Sequence, residues 1–263
     1  LTGGYQPAAG DALVLIANDG TDAISGTFSG LAENSEFTID GKTWKISYVG
    51  GSGNDVVITC IGQQFEVTNL NASGSGSLHQ AILNANAAAG LNVIVFAVAG
   101  LIEIAAAHLL PVITDPILID GSTAPGFGSS PVIEISGVSA GLNSGLVFGS
   151  GSAGSTLRGL SIVRFAKAGV EVQAADVSIV SSWIGLTRAG VAAGNGSGGG
   201  SSAAGVLIQA ANARIGGELA AETNVISGNF GTGIIVSGGN NAVIRGNRIG
   251  TNPAGTAPLA NEA

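Results

Sequence analysis

The sequence predicts an all-β protein, built mainly as a right-handed parallel β-helix with one capping α-helix, and preceded by a small β-hairpin module. Three observations predict it. Apolar residues come in short runs punctuated by Gly, Asn and Ser, the pattern of many short strands joined by tight turns. Glycine supplies 44 of 263 residues and charged residues only 10%, yet regular Val, Ile and Leu runs supply the buried surface that a disordered chain lacks. Finally, one strand-and-turn pattern recurs at a spacing of 64 to 65 residues.

Residues 1–61 read as the hairpin module. Leu13 to Ala17 is a strand, and Asn18-Asp19-Gly20 is a turn suited to positive φ. Phe37 to Trp44 reads as strand, Asp40-Gly41 turn, strand. Lys45 to Val49 and Val56 to Thr59 flank a second turn over residues 50–55.

Residues 62–263 read as the solenoid. A helix is expected near 77–89, with Ser77 as N-cap and Gln80 three residues later in a capping-box pattern. Leu78, Ala81, Ile82 and Ala85 lie on one stripe, and Gly90 is a natural stop. A solenoid exposes its core at each end, so this helix is a sensible plug. From Val93 onward the chain is short rungs, among them Leu157–Ile162, Gly169–Val172, Gly205–Ile208, Gly233–Val236 and Ala242–Ile244. GVEV at 169–172 with WIGLTRAG at 183–190 matches GIIV at 233–236 with RIGTNPAG at 248–255, and GVLI at 205–208 with IGG at 215–217 lies between. This spacing predicts three coils of about 21 residues. The Gly/Ser/Ala/Asn stretch 194–204 is expected to be a flexible loop ejected from the stack. Asn224, Asn229, Asn240, Asn241 and Asn247 are expected to form side-chain ladders at turns.

Charge narrows the partners. The net charge is −8, and the nine Lys and Arg are scattered. Nucleic acid calls for a positive stripe, so nucleic-acid binding is not expected. No apolar run reaches membrane-spanning length, so membrane insertion is not expected either. Cys60 is the one cysteine in the sequence and reads as a buried, inert thiol. The chain opens on Leu1-Thr2-Gly3 and closes inside a repeat, so a piece of a longer chain, or a unit continuing into a neighbour, is expected.

Several stretches resemble bacterial right-handed β-helix repeat proteins of large secreted and cell-surface polypeptides. They are VTNLNASGSGSLHQAI at 67–82, PVITDPILIDG at 111–121, NVISGN at 224–229 and IGTNPAGTA at 249–257. The module, through PAAGD at 7–11, NDGTD at 18–22, SGTF at 25–28 and ISYVGGSGNDVV at 46–57, resembles the closing segment after a solenoid in autotransporter-like proteins. The resemblance implies an extracellular or bacterial cell-surface adhesin, fibre or matrix component, with copies of itself or flanking solenoid segments as partners.

Candidate chemistry is sparse. Residues 50–57 match one calcium nonapeptide, and Asn54 and Asp55 there, with Asp19 and Asp22, are the calcium candidates. One copy offers too few oxygens for calcium, so tight turns are the favoured reading and no cofactor is expected. Acids are too few and too far apart for a lyase or glycosidase, and His79 and His108 lack a nucleophile partner, so no catalytic residue is expected. Six arginines (158, 164, 188, 214, 245 and 248) invite a ligand reading, with outward, solvated positions as the plainer one. Trp183, Arg188, Arg245 and Arg248 are the ligand-binding candidates, Trp183 on an exposed face. The expectation is a non-enzymatic structural or adhesive protein, a head-to-tail fibre subunit or a segment of a giant adhesin; the alternative is a polysaccharide-binding or polysaccharide-cleaving β-helix.

Overall fold

The structure, a computed structural model, describes residues 7, 9–18, 22–51 and 53–262. Four strands open the chain: β1 (Ala12–Ile16), β2 (Glu36–Ile39), β3 (Lys42–Gly50) and β4 (Asp55–Val67). Helix α1 (Leu78–Asn86) follows, then β5 (Asn92–Phe96), β6 (Gly100–Ala105), β7 (Ile117–Asp120), β8 (Ile133–Ser139) and β9 (Leu146–Phe148). Next come β10 (Thr156–Arg158), β11 (Leu160–Val163), β12 (Val170–Val172), β13 (Ser178–Val180) and β14 (Trp183–Ile184). The last are β15 (Ala204–Ile208), β16 (Arg214–Ile215), β17 (Val225–Ile226), β18 (Thr232–Val236), β19 (Val243–Ile244) and β20 (Arg248–Ile249).

These strands form a mostly β structure with three sheets. The largest runs β2-β3-β4-β5-β7-β10-β13-β16-β19, with β1 also paired to β4; the others run β6-β8-β11-β14-β17-β20 and β9-β12-β15-β18. From β5 onward every pairing between these strands is parallel. Strand β4 joins the two styles: its first part pairs antiparallel with β1 and β3, and Gln64 to Val67 pair parallel with β5. The strand therefore runs unbroken through residues 61 and 62.

Register puts like residues in columns. Ile94, Ile119, Leu157, Ile179, Ile215 and Ile244 are successive partners in the first sheet. Ile102, Ile135, Ile162, Ile184, Ile226 and Ile249 are successive partners in the second, and Phe148, Val172, Ile208 and Val236 in the third. Most of these side chains share one buried core, into which α1 sinks Leu78, Ala81, Ile82 and Ala85. Only the last step is open: Val236, Ile244 and Ile249 are about two-fifths exposed or more, as is Val243. The hairpin strands bury a separate cluster built on Trp44, Ile46, Val56 and Cys60.

Several local expectations change. Val170 pairs with Val206 and Val206 with Ile234. The repeat spacing thus holds two unequal steps rather than three coils of about 21 residues. The first step is lengthened by residues 185–203, and the expected ejected loop is only partly outside. Gly194, Asn195 and Gly196 are buried, residues 197–201 are exposed, and Ala204 already belongs to β15. The expected rung 157–162 is two strands, split at Gly159, whose φ of 73° turns the chain between sheets. Helix α1 is capped at Ser77, whose hydroxyl accepts from Gln80 N, but Gln80 reaches forward to Asn84 rather than closing a capping box.

The corners are held by asparagine. Asn195 Nδ2 donates to Ile162 O and to Asn229 Oδ1, both at 3.0 Å. Asn229 Nδ2 repeats this onto Ile184 O at 3.0 Å and Asn261 Oδ1 at 2.8 Å, and Asn261 Nδ2 reaches Ile226 O. At the second corner Asn224 Nδ2 donates to Ile179 O and Asn247 Oδ1, and Asn247 Nδ2 to Ile215 O. At the third, Asn241 donates to Asn212 and Asn212 to Asp176. These three residues share φ values near 60°, a conformation that short polar side chains tolerate. Of the expected ladder residues, Asn240 alone takes part only through its backbone, accepting from Asn212 N.

Asn229 sits at the centre of the first ladder and is 1% exposed. Asn229→Ala should lower stability by about 3 kcal/mol, because buried donors and acceptors on both neighbours lose their partner. Urea unfolding should show this, with Asn240→Ala shifting the midpoint little.

Candidate functional site

Outward residues alternate with the inward columns, so each sheet displays its own chemistry. On the six-stranded sheet the outer column reads Leu101, Glu134, Ser161, Trp183, Val225 and Arg248. Trp183 and Arg248 are therefore aligned as the repeat predicts, two strands apart. Trp183 is not exposed, however: it is 8% accessible and packs with Leu186 and Val225, with Leu259 against them.

Two hairpin arms cover it. Residues 186–192 fold back through the Leu186–Ala192 bridge, and residues 251–258 through Thr251–Pro258. Ser161 Oγ donates to Leu186 O at 2.6 Å, and Ser227 Oγ accepts from Thr251 N at 3.0 Å, which ties each arm to the sheet. The arms touch near Gly190, where an added methyl would lie 3.3 Å from Pro253 and 3.8 Å from Trp183. The indole is a buttress between arms here, with no free face for a sugar ring.

The arginines are mostly engaged. Arg164 pairs at 3.1 Å with Glu134, a buried carboxylate that also accepts from Arg188 N. The Arg188 side chain is exposed on the first arm. Arg248 donates to Pro253 O within the second arm. Arg245 pairs with Glu218 at 2.7 Å and follows β19, on the ten-stranded sheet. The four ligand candidates are thus divided between two faces.

The stronger concentration of chemistry lies on the outer side of the ten-stranded sheet. Asp120, Arg158 and Val180 are successive partners there. The loops 121–129 and 219–223 rise on either side, enclosing a groove of about 650 Å³ whose lining includes Phe127, Ser129, Arg158, Ser181 and Thr223. Its floor is an ion pair. Arg158 donates through Nε (2.9 Å) and Nη2 to the two oxygens of Asp120, which is 4% exposed. Asp120 also caps the turn at 121–123 by accepting from Ser122 N at 3.0 Å and from Ser122 Oγ. On the wall, Glu222 accepts from Arg214 and from Leu219 N.

Burial alone would push the Asp120 carboxyl up, but the Arg158 and Ser122 hydrogen bonds outweigh it and hold it below the ordinary carboxylate range. The Arg214 hydrogen bond, with Leu219 N, does the same for Glu222. Burial, then the neighbouring His108, pushes His79 down, and its Nδ1 has no hydrogen-bond partner.

Among the described residues, two of the calcium candidates, Asp55 and Asp22, are linked only through Asn18. Asp55 Oδ1 accepts from Asn18 N at 2.9 Å, and Asn18 Nδ2 donates to Asp22 O at 2.8 Å. Asn54 is buried, and Asp19 lies outside the described residues. Among the described residues no group of three or more His, Cys, Asp or Glu is placed to hold a metal ion.

Sequence reasoning missed the Asp120–Arg158 pair, because the partners are 38 residues apart. The signal present was Asp120-Gly121-Ser122, a capping pattern directly after an apolar strand. No protein-family model matches the chain, and no curated protein matches it.

Because the Asp120 carboxyl sits lower folded than unfolded, its contribution is complete above the unfolded pKa and is lost as pH falls through the folded one. Urea midpoints should therefore fall between neutral pH and pH 3, and Asp120→Asn should flatten part of that fall. An unchanged pH profile in the variant would show that the pair adds nothing.

Proposed function

We propose that this chain is a right-handed parallel β-helix that serves as a non-enzymatic structural or adhesive element of a bacterial cell surface or extracellular matrix. One observation carries the reading: three sheets, parallel from β5 onward, keep like residues in register from step to step, with a side-chain ladder at each corner. Such a stack is quasi-one-dimensional, each step touching mainly its neighbours. It makes a stiff rod from a sequence with little charge and few candidate catalytic groups.

The step carrying β18, β19 and β20 gives this rod its assembly role. Among the described residues its outer strand edges have no partner, and Val236, Val243, Ile244 and Ile249 are exposed there. Edges of this kind template further pairing. Contact between unlike faces of successive units propagates as a fibre when it does not close. We assign that edge to further parallel repeats, supplied by flanking solenoid segments or by copies of the chain.

Electron microscopy of the purified chain at neutral pH should show filaments. Charges introduced at the edge by Val243→Glu and Ile249→Lys should reduce them to single particles. Single particles from the unaltered chain, or filaments indifferent to both charges, would contradict self-assembly through this edge.

A further inference from the structure

We propose that the groove between the 121–129 and 219–223 loops binds an extended polysaccharide bearing carboxylate groups. The inference stands apart from assembly, since the groove lies on the side of the stack and not at its open step.

The argument starts from unused hydrogen-bonding capacity. Both oxygens of Asp120 accept bonds from Arg158, and one accepts twice more from Ser122. Both oxygens of Glu222 are likewise taken, by Arg214 and Leu219 N. Asp120 is buried beneath its four bonds, while a guanidinium has five N–H groups and Arg158 has used two. Its side chain is 42% exposed and lines the groove. The floor therefore offers spare guanidinium donors over a buried, fully engaged Asp120 carboxylate. A ligand carboxylate is the complement of that surface.

Arg158 also has company along the stack. Arg214 lies in the second strand beyond it, and Arg245 just past the third, each held by its own acid. Arg214 lies about 10 Å away along the stack and is offset by two residues, since its partner Ser178 pairs with Thr156 rather than Arg158. Each of the three arginines keeps unused guanidinium N–H groups, which a polymer with repeated carboxylates can meet in turn.

The floor also separates sugar from peptide. Strands β7, β10 and β13 are paired on both edges, so no edge is open to an added peptide strand. A saccharide brings its own hydroxyls, which Ser129 and Thr223 can meet, and a ring face for partly exposed Phe127.

Titration calorimetry at low salt with a hexameric polygalacturonate should give binding that weakens steeply as salt is added. Neutral cellohexaose and a hexaglutamate peptide should bind at least tenfold more weakly. Phe127→Ala and Arg158→Gln should each lower affinity at least tenfold, and Ser201→Ala, on an exposed loop, should leave it unchanged. If Arg158→Gln fails to fold, Phe127→Ala alone decides the location. Equal binding of cellohexaose would overturn the charge argument, equal binding of the peptide would overturn the sugar, and no binding by any probe would overturn the site. Filament formation reads independently of all these outcomes.

Discussion

The structure depends on keeping parallel strands in register, and the corner amides do that. Short strands of two or three residues make too few backbone bonds to fix their own alignment. An asparagine at a corner fixes it from the side: its amide donates to the backbone of the preceding step and to the amide of the next. A slip of one residue would reverse every side chain between core and surface. The ladder Asn195, Asn229, Asn261 makes such a slip lose several buried hydrogen bonds at once. Cooperative networks of this kind are strong only when every member is satisfied.

Fixed corners free the rest of the chain to vary. The path from Ile184 to Asn195 carries a hairpin arm, the path from Ile226 to Asn229 carries none, and the path from Ile249 to Asn261 carries one again. All three arrive at the same ladder position. The insertions are absorbed outward, where they bury Trp183 on one face. On another face the 121–129 and 219–223 loops build the groove walls. Ion pairs then fix four of the outward arginines, Arg158, Arg164, Arg214 and Arg245, so much of the surface chemistry is held by the same stack that holds the core.

Much of the architecture was legible because apolar columns leave a direct trace in sequence. Ile184 and Ile249, and Trp183 and Arg248, were alignable by eye, and the register pairs both couples through Val225 and Ile226. The helix cap at Ser77 was equally local. What could not be read was anything depending on unequal steps. The arm at 186–192 and the loop at 197–201 disguised one step as two, because chain length carries no mark of which residues leave the stack. For the same reason Trp183 looked exposed: its cover comes from residues near 186 and 259, at a distance set only by the fold. The groove ion pair was hidden likewise, since Asp120 and Arg158 meet only across adjacent strands.

The central claim is that the corner asparagines stand directly over one another in successive steps. Nuclear Overhauser measurements on the side-chain amides test it most directly. The account predicts contacts from the Asn195 amide protons to those of Asn229, and from Asn229 to those of Asn261, with slow exchange at Asn195 and Asn229. Fast-exchanging amides with no such contacts would contradict it.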